Sequence, residues 1–240
     1  QCDSARLRDV QVVGGIYVHE GVGKTILQDC ESTAGIIGTA HDSGDSEIEI
    51  VGGRYVGEAD RVCAVSSGIW LSPTSYSDLT RRWLRASVRG AYAKATLQSE
   101  GHDDLTAASI GGRVAAVTVH ASVRAVVHGC TLMAPTNRLS AVVGNINFIE
   151  AESANGDEHR LGCRVVDFSQ NDVLNDSSPV AIVLQDFYAS VVRDNTFYKY
   201  GGSTFPIAEG SETEVLFLYC QTDAELDPAR FTRVVYVGNQ

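Results

Sequence analysis

Val10-Gln-Val-Val-Gly-Gly-Ile-Tyr-Val18 recurs as Ile48-Glu-Ile-Val-Gly-Gly-Arg-Tyr-Val56. Weaker copies follow at Ser87-Val-Arg-Gly-Ala-Tyr92, Ala125-Val-Val-His-Gly-Cys-Thr-Leu132, Val166-Asp-Phe-Ser-Gln-Asn-Asp-Val173 and Ser190-Val-Val-Arg-Asp-Asn-Thr-Phe197, with a seventh at Val234-Val-Tyr-Val-Gly-Asn239. Aligned on the turn residue, they put Gly15, Gly53, Gly90, Cys130, Asn171, Asn195 and Asn239 in one column. In each copy the apolar residues stand two apart, which is the period of a strand. Gly or Asn at the bend suits a corner with positive φ. One strand and one corner cannot bury their own apolar side, so the copies must stack on one another.

Successive column members lie 38, 37, 40, 41, 24 and 44 residues apart. The shortest interval matches three strands of about five or six residues, at about 3.3 Å per residue, with three corners. The longer intervals read as the same coil carrying loop insertions. An interval of 44 is also long enough for two plain coils.

The run Asp194-Asn195-Thr-Phe197, with Gly-Cys-Thr-Leu and Gln-Asn-Asp-Val in the preceding copies, resembles the coil signature of right-handed parallel β-helices. Phage tailspikes, pectate-lyase-like enzymes and epimerase-like proteins share that fold. The resemblance implies an all-β, right-handed parallel β-helix (a solenoid) with loop insertions, in which turn asparagines stack as a ladder. It also implies a tailspike-like virion protein that binds, and if enzymatic cleaves, a cell-surface polysaccharide. Such proteins pack three chains around one axis, so a homotrimer outside the cell or on the virion surface is implied, with other virion proteins as further partners. A fold of this kind hosts many functions, and no family-specific catalytic motif accompanies the resemblance.

Residues 1–240 read as a single β-helix domain without a linker or composition break, and as part of a longer polypeptide. The formal net charge is −11, and no basic stripe is evident, so nucleic acid is not expected as a partner. No run of 18 apolar residues is present, so no membrane span is expected. The six cysteines (Cys2, Cys30, Cys63, Cys130, Cys163, Cys220) lie far apart without a Cys-x-x-Cys pair. That pattern argues against zinc and for mostly free, buried thiols; a bridge between coils would imply an oxidising setting. Neither a metal site nor a cofactor is expected.

Gly21-Val-Gly-Lys-Thr25 ends like a phosphate-binding loop but has Val18 where the first glycine belongs, and Ile26-Leu-Gln-Asp reads as a strand rather than a helix. Asn175-Asp-Ser177 fits a glycosylation acceptor pattern. His102-Asp-Asp104 and His41-Asp42 are dense in His and carboxylate but lack spaced partners for a metal.

If positions three and five before the turn residue face inward, positions two and four before it face out. That outer face carries Gln11 and Val13, Glu49 and Val51, Val126 and His128, Asp167 and Ser169, Val191 and Arg193, then Val235 and Val237. Strands about 4.8 Å apart make Asp167, Ser169 and Arg193 neighbours, with His128 beside them if its coil is a single turn. Asp172 follows the turn, flanked by Thr131 and Thr196. Asp167, Asp172 and Arg193 are the candidate catalytic residues, two carboxylates for acid and base with a guanidinium as anion partner. The valines of this face call for a cover.

Trp70, Tyr76 and Trp83, with Arg81, Arg82 and Arg85, fall between the second and third copies. Aromatic faces beside guanidiniums suit sugars, which makes Trp70, Tyr76, Trp83, Arg82 and His128 the candidate glycan-binding residues. Trp83-Leu84 reads equally as a short helix pinning the insertion. Two rival readings are a secreted polysaccharide lyase or hydrolase, and a non-enzymatic structural or adhesive β-helix.

Overall fold

The computed structural model describes residues 4–21, 23–40, 46–57, 68–73, 84–95, 115–120, 122–134, 139–144, 165–175, 182–185, 189–199, 203–204, 216–219 and 234–240. These residues form 23 strands and no helix. The first coil runs through β1 (Ser4–Arg8), β2 (Gln11–Val12) and β3 (Ile16–Gly21), the second through β4 (Gly23–Gln28), β5 (Glu31–Ser32) and β6 (Ile36–Ala40). The third has β7 (Ser46–Val51), β8 (Arg54–Val56) and β9 (Ile69–Pro73), and the fourth β10 (Leu84–Arg89), β11 (Tyr92–Lys94) and β12 (Ala115–His120). The fifth has β13 (Ser122–His128), β14 (Thr131–Ala134) and β15 (Leu139–Gly144), and the sixth β16 (Val165–Ser169), β17 (Asp172–Asn175) and β18 (Ile182–Gln185). The seventh has β19 (Ala189–Arg193), β20 (Thr196–Lys199), a short β21 (Ser203–Thr204) and β22 (Leu216–Tyr219), and β23 (Val234–Val237) opens the eighth.

Each strand pairs with its counterpart one coil on, giving sheets of eight, eight and seven strands. We call these A (β1, β4, β7, β10, β13, β16, β19, β23), B (β2, β5, β8, β11, β14, β17, β20, β21) and C (β3 through β22). All pairings are parallel except β20 with β21. The fold is an all-β parallel solenoid with insertions between its strands. Period two is visible directly: in β7 the inward residues Ser46, Ile48 and Ile50 are buried, and Glu47, Glu49 and Val51 are half-buried. Inward residues of all three sheets, among them Leu27, Ile50, Tyr55, Leu71, Val88, Leu132, Phe168 and Phe197, make one continuous core.

The coil count corrects part of the sequence alignment. The corner between sheets A and B holds a left-handed residue in every coil: Asp9, Asp29, Gly52, Gly90, Gly129, Gln170, Asp194 and Gly238, with φ from 52° to 67°. The next residue enters the stacked column, which is Val10, Cys30, Gly53, Ala91, Cys130, Asn171, Asn195 and Asn239. Gly15 therefore does not belong to it. Val10–Ile16 stacks on Cys30–Ile36, since Glu31 N–H donates to Val10 C=O and Ile16 N–H to Gly35 C=O. The Gly-Gly pair of the first phrase turns the chain from sheet B to sheet C, and that of Ile48–Val56 turns it from A to B. Gly90 is one residue early, because Ala91 fills the column. Between the two matching phrases lies a complete coil, Gly23–Ala40, whose corner is Asp29-Cys30. The 44-residue interval is a single coil, because β19 pairs directly with β23.

A ladder of side-chain amides closes the column. Asn195 Oδ1 accepts from Asn171 N–H (2.9 Å) and Asn171 Nδ2 (3.0 Å), and its own Nδ2 donates to Phe168 C=O (3.1 Å) and Asn239 Oδ1 (2.8 Å). Asn239 Oδ1 accepts Asn195 N–H, and Asn171 Oδ1 accepts Cys130 N–H at 2.9 Å. At Cys130 the thiol takes over the donor role, with Sγ 3.5 Å from Val88 C=O, and burial pushes its pKa up to about 11. Cys30 and Cys130 are free and buried; Cys2, Cys63, Cys163 and Cys220 lie outside the described residues.

Asn195→Ala removes the partner of Asn171 N–H and the amide donor to Phe168 C=O inside the core, and leaves Asn171 Nδ2 bonded to Val127 C=O alone. With about 1–3 kcal/mol for each buried polar group left unmade, a loss of roughly 3 kcal/mol is expected in urea unfolding. A loss below about 0.5 kcal/mol, the range of ordinary surface changes, would show that the ladder does not support the stack.

Candidate functional site

The corner column sets which residues of sheet A share a row. Two before it come Arg8, Gln28, Val51, Arg89, His128, Ser169, Arg193 and Val237. Four before it come Arg6, Ile26, Glu49, Ser87, Val126, Asp167, Val191 and Val235. Six before it, Lys24, Glu47, Arg85, Arg124 and Val165 follow one another. These rows make the outer face of sheet A, with neighbours about 4.8 Å apart across coils.

His128, Ser169 and Asp167 meet in a connected network on that face. Ser169 Oγ donates to Asp167 Oδ1 at 2.7 Å and lies 3.0 Å from His128 Nδ1. A serine hydroxyl has one proton, so with that proton on Asp167 the histidine must donate through Nδ1. In the neutral ring Nε2 then carries the lone pair. Ser169 is buried, and Asp167 and His128 are half-buried. The group thus presents a fixed acceptor nitrogen and a carboxylate from adjoining coils.

Arg193 stands beside Ser169 in register, but its guanidinium binds Asp194 at 3.2 Å, an exposed pair on its own strand end. Asp172 lies past the Gln170-Asn171 corner on β17 of sheet B, exposed between Thr131 and Thr196. Asp167 and Asp172 therefore belong to different sheets. Trp70 is on β9 of sheet C, opposite Ile37 and Thr118. Tyr76, Arg81, Arg82 and Trp83 lie outside the described residues, as do His41, Asp42 and His102–Asp104. Leu84 opens β10, a strand. Lys24 and Thr25 of the glycine-rich run are also in a strand, β4.

The apolar stripe expected on this face is only partly exposed. Val235 and Val237 are 50% and 53% exposed, whereas Val126 is buried at 4%. Gln11 and Val13 do not belong to the face at all: Gln11 is on β2 of sheet B, and Val13, 97% exposed, follows it. Reading those two as outward residues of sheet A carried over the misplaced Gly15.

A charged cluster that the alignment did not single out occupies the middle coils. Lys24 Nζ binds Glu47 (2.9 Å) and Glu49 (3.0 Å), and these hydrogen bonds raise the lysine pKa. The same two glutamates, with Arg85, Ser87, Arg89 and Arg124, line a shallow depression of about 230 Å³. Arg89 Nε donates to Ser87 Oγ at 3.0 Å. Placing the column at Ala91 instead of Gly90 turns Ser87 and Arg89 outward, and that one-residue shift was the signal needed. On sheet B, Arg54 stacks over the Tyr92 ring at 4.2 Å from its centroid. It also borders a second depression of about 370 Å³ with Gln11, Val13, Glu31 and Thr33.

Among the described residues no group of three or more His, Cys, Asp or Glu is arranged to hold a metal ion. No protein-family model, curated protein or solved structure matches this chain.

The tautomer of His128 is measurable. Free imidazole favours the Nε2–H form, whereas the network requires Nδ1–H. Ring 15N shifts of the neutral histidine are expected to show Nδ1–H in the wild type and to revert toward Nε2–H in Ser169→Ala. A wild-type ring already in the Nε2–H form would contradict the assigned network.

Proposed function

We propose that this chain is the glycan-binding body of a tailspike-like parallel β-helix, which takes a surface polysaccharide along the outer face of sheet A. The observation that carries this reading is the His128–Ser169–Asp167 network. It holds two acceptors, His128 Nε2 and the Asp167 carboxylate, in fixed orientation on a sheet whose repeat is of the same order as one sugar residue in an extended chain. Hydroxyl groups of a glycan donate to such preset acceptors. The cost of ordering these side chains is met in folding, which favours affinity.

Val165, Val235 and Val237 leave exposed aliphatic surface at the far end of the same face. Packing of three parallel chains around one axis would cover it, and the homotrimer and its extracellular or virion-surface setting are parts of this proposal. Cleavage requires an acid and a base across one glycosidic oxygen. Asp167, the network's own carboxylate, and Asp172 stand on either side of a corner, so binding is the primary activity of this proposal.

A polysaccharide panel on the purified chain, with light scattering, tests the proposal. Binding to at least one surface polysaccharide and a mass of about three chains are expected. In Asp167→Asn and His128→Ala, binding should weaken about 10-fold, equivalent to about 1.4 kcal/mol, with unchanged thermal unfolding. No binding to any glycan, or wild-type affinity in both variants, would overturn it.

A further inference from the structure

The fourth and fifth coils present an unusual pairing. Arg85 on β10 and Arg124 on β13 are register partners, both exposed on the outer face of sheet A. Like charges directly opposite one another on neighbouring strands are destabilising. A carboxylate between or beside them would relieve the repulsion, and one is close by: Glu47 is the register partner of Arg85 on the other side. Yet Glu47 and Glu49 both turn to Lys24, at 2.9 and 3.0 Å. Among the described residues, no carboxylate lies within ion-pair distance of Arg85, Arg89 or Arg124.

The three guanidiniums border one depression of about 230 Å³, whose floor includes Ser87 and Val126. Arg89 is tethered by its Nε to Ser87, so two of the depression's polar side chains are already fixed relative to each other. Four cations (Lys24, Arg85, Arg89, Arg124) meet two carboxylates here, on a chain whose net charge is −11. The positive excess is local. A guanidinium offers a planar fork of donors matched to a carboxylate or sulfate.

We infer that Arg85, Arg124 and Arg89 form an anion subsite that takes the carboxylate or sulfate of an acidic polysaccharide. This rests on the glycan-binding reading above and names the chemical class of its ligand. Arg89 and His128 are register partners, so the anion subsite adjoins the His128–Ser169–Asp167 network along the coil axis. One extended chain can place an acidic sugar on the arginines and a neighbouring sugar's hydroxyls on His128 and Asp167. Salt screens the attraction between the guanidiniums and the anion, so binding falls with rising salt, while the acidic remainder of the protein disfavours polyanions that do not fit the patch.

The test measures binding of polygalacturonate, chondroitin sulfate, neutral dextran and single-stranded DNA to the wild type and to the double variant Arg85→Gln/Arg124→Gln. Neither arginine is buried, so the variant is expected to fold, and circular dichroism with thermal unfolding checks this. Arg85→Lys/Arg124→Lys serves as a second, charge-preserving variant. The expected result is that the wild type binds at least one acidic glycan at least 10-fold more tightly than dextran. The Gln variant should lose that preference and most of its salt dependence, and the Lys variant should fall between. If dextran binds as well as the acidic glycans, or the Gln variant keeps the preference, the anion subsite is overturned while the glycan reading stands. If the wild type binds neither these three glycans nor any member of the surface-polysaccharide panel, the glycan reading falls with it. Equal binding to DNA would reduce the patch to a general polyanion surface and overturn the assignment to an acidic polysaccharide.

Discussion

The corner between sheets A and B is the constraint from which the rest of the molecule follows. At that corner the left-handed residue donates its N–H to the coil above, as Asp29 does to Val51, Gly90 to His128 and Gln170 to Arg193. The column residue that follows accepts from the same coil, as Gly53 does from Tyr92 and Cys130 from Asp172. Two bonds per turn thus pin each coil before any long strand pairing is counted. A slip of one residue would turn every inward side chain outward, and the corner prevents it.

The column is not uniform, and its variation has a physical logic. Where it holds Asn171, Asn195 and Asn239, the side-chain amides reproduce across coils the donor and acceptor pattern of a backbone. At Cys130 a thiol takes the donor part. At Gly53 there is no room for a side chain, since a Cβ would lie 2.6 Å from Tyr55 Oη and closer still to Cys30 C=O. The Tyr55 ring fills that level of the core instead, and burial raises the pKa of its phenol well above the usual value. Such a register-locked stack places the outer residues of sheet A in straight rows, which is why side chains as far apart in sequence as His128 and Ser169 meet.

Much of this was legible in the sequence, and the failures have specific causes. Period two and the recurring Asn or Gly corner revealed the strands and the column from Gly53 onward, apart from Gly90. The Asp29-Cys30 corner stayed hidden because neither its left-handed residue nor its column residue is Gly or Asn. The best sequence match, Val10–Val18 against Ile48–Val56, was misleading because Gly-Gly serves two different corners. Placing Gly90 in the column, one residue early, kept Arg89 off the outer face, and with it the link to Arg85 and Arg124. The neighbourhood of His128, Ser169 and Asp167 followed from spacing alone, whereas the direction of its hydrogen bonds depends on side-chain rotamers that spacing does not fix. Trp70, expected in an insertion, lies on β9 of sheet C, because repeat arithmetic places the corner column but not the strands that follow it.

Amide hydrogen exchange, read residue by residue, tests the corner ladder most directly. The N–H groups of Cys130, Asn171 and Asn195 donate to side-chain oxygens of the next coil rather than to backbone. If the ladder locks the register, these three amides exchange as slowly as the core strands β13 and β16 and open together with them. Rapid or mutually independent exchange at the three positions would contradict it, and with it the alignment of the outer face.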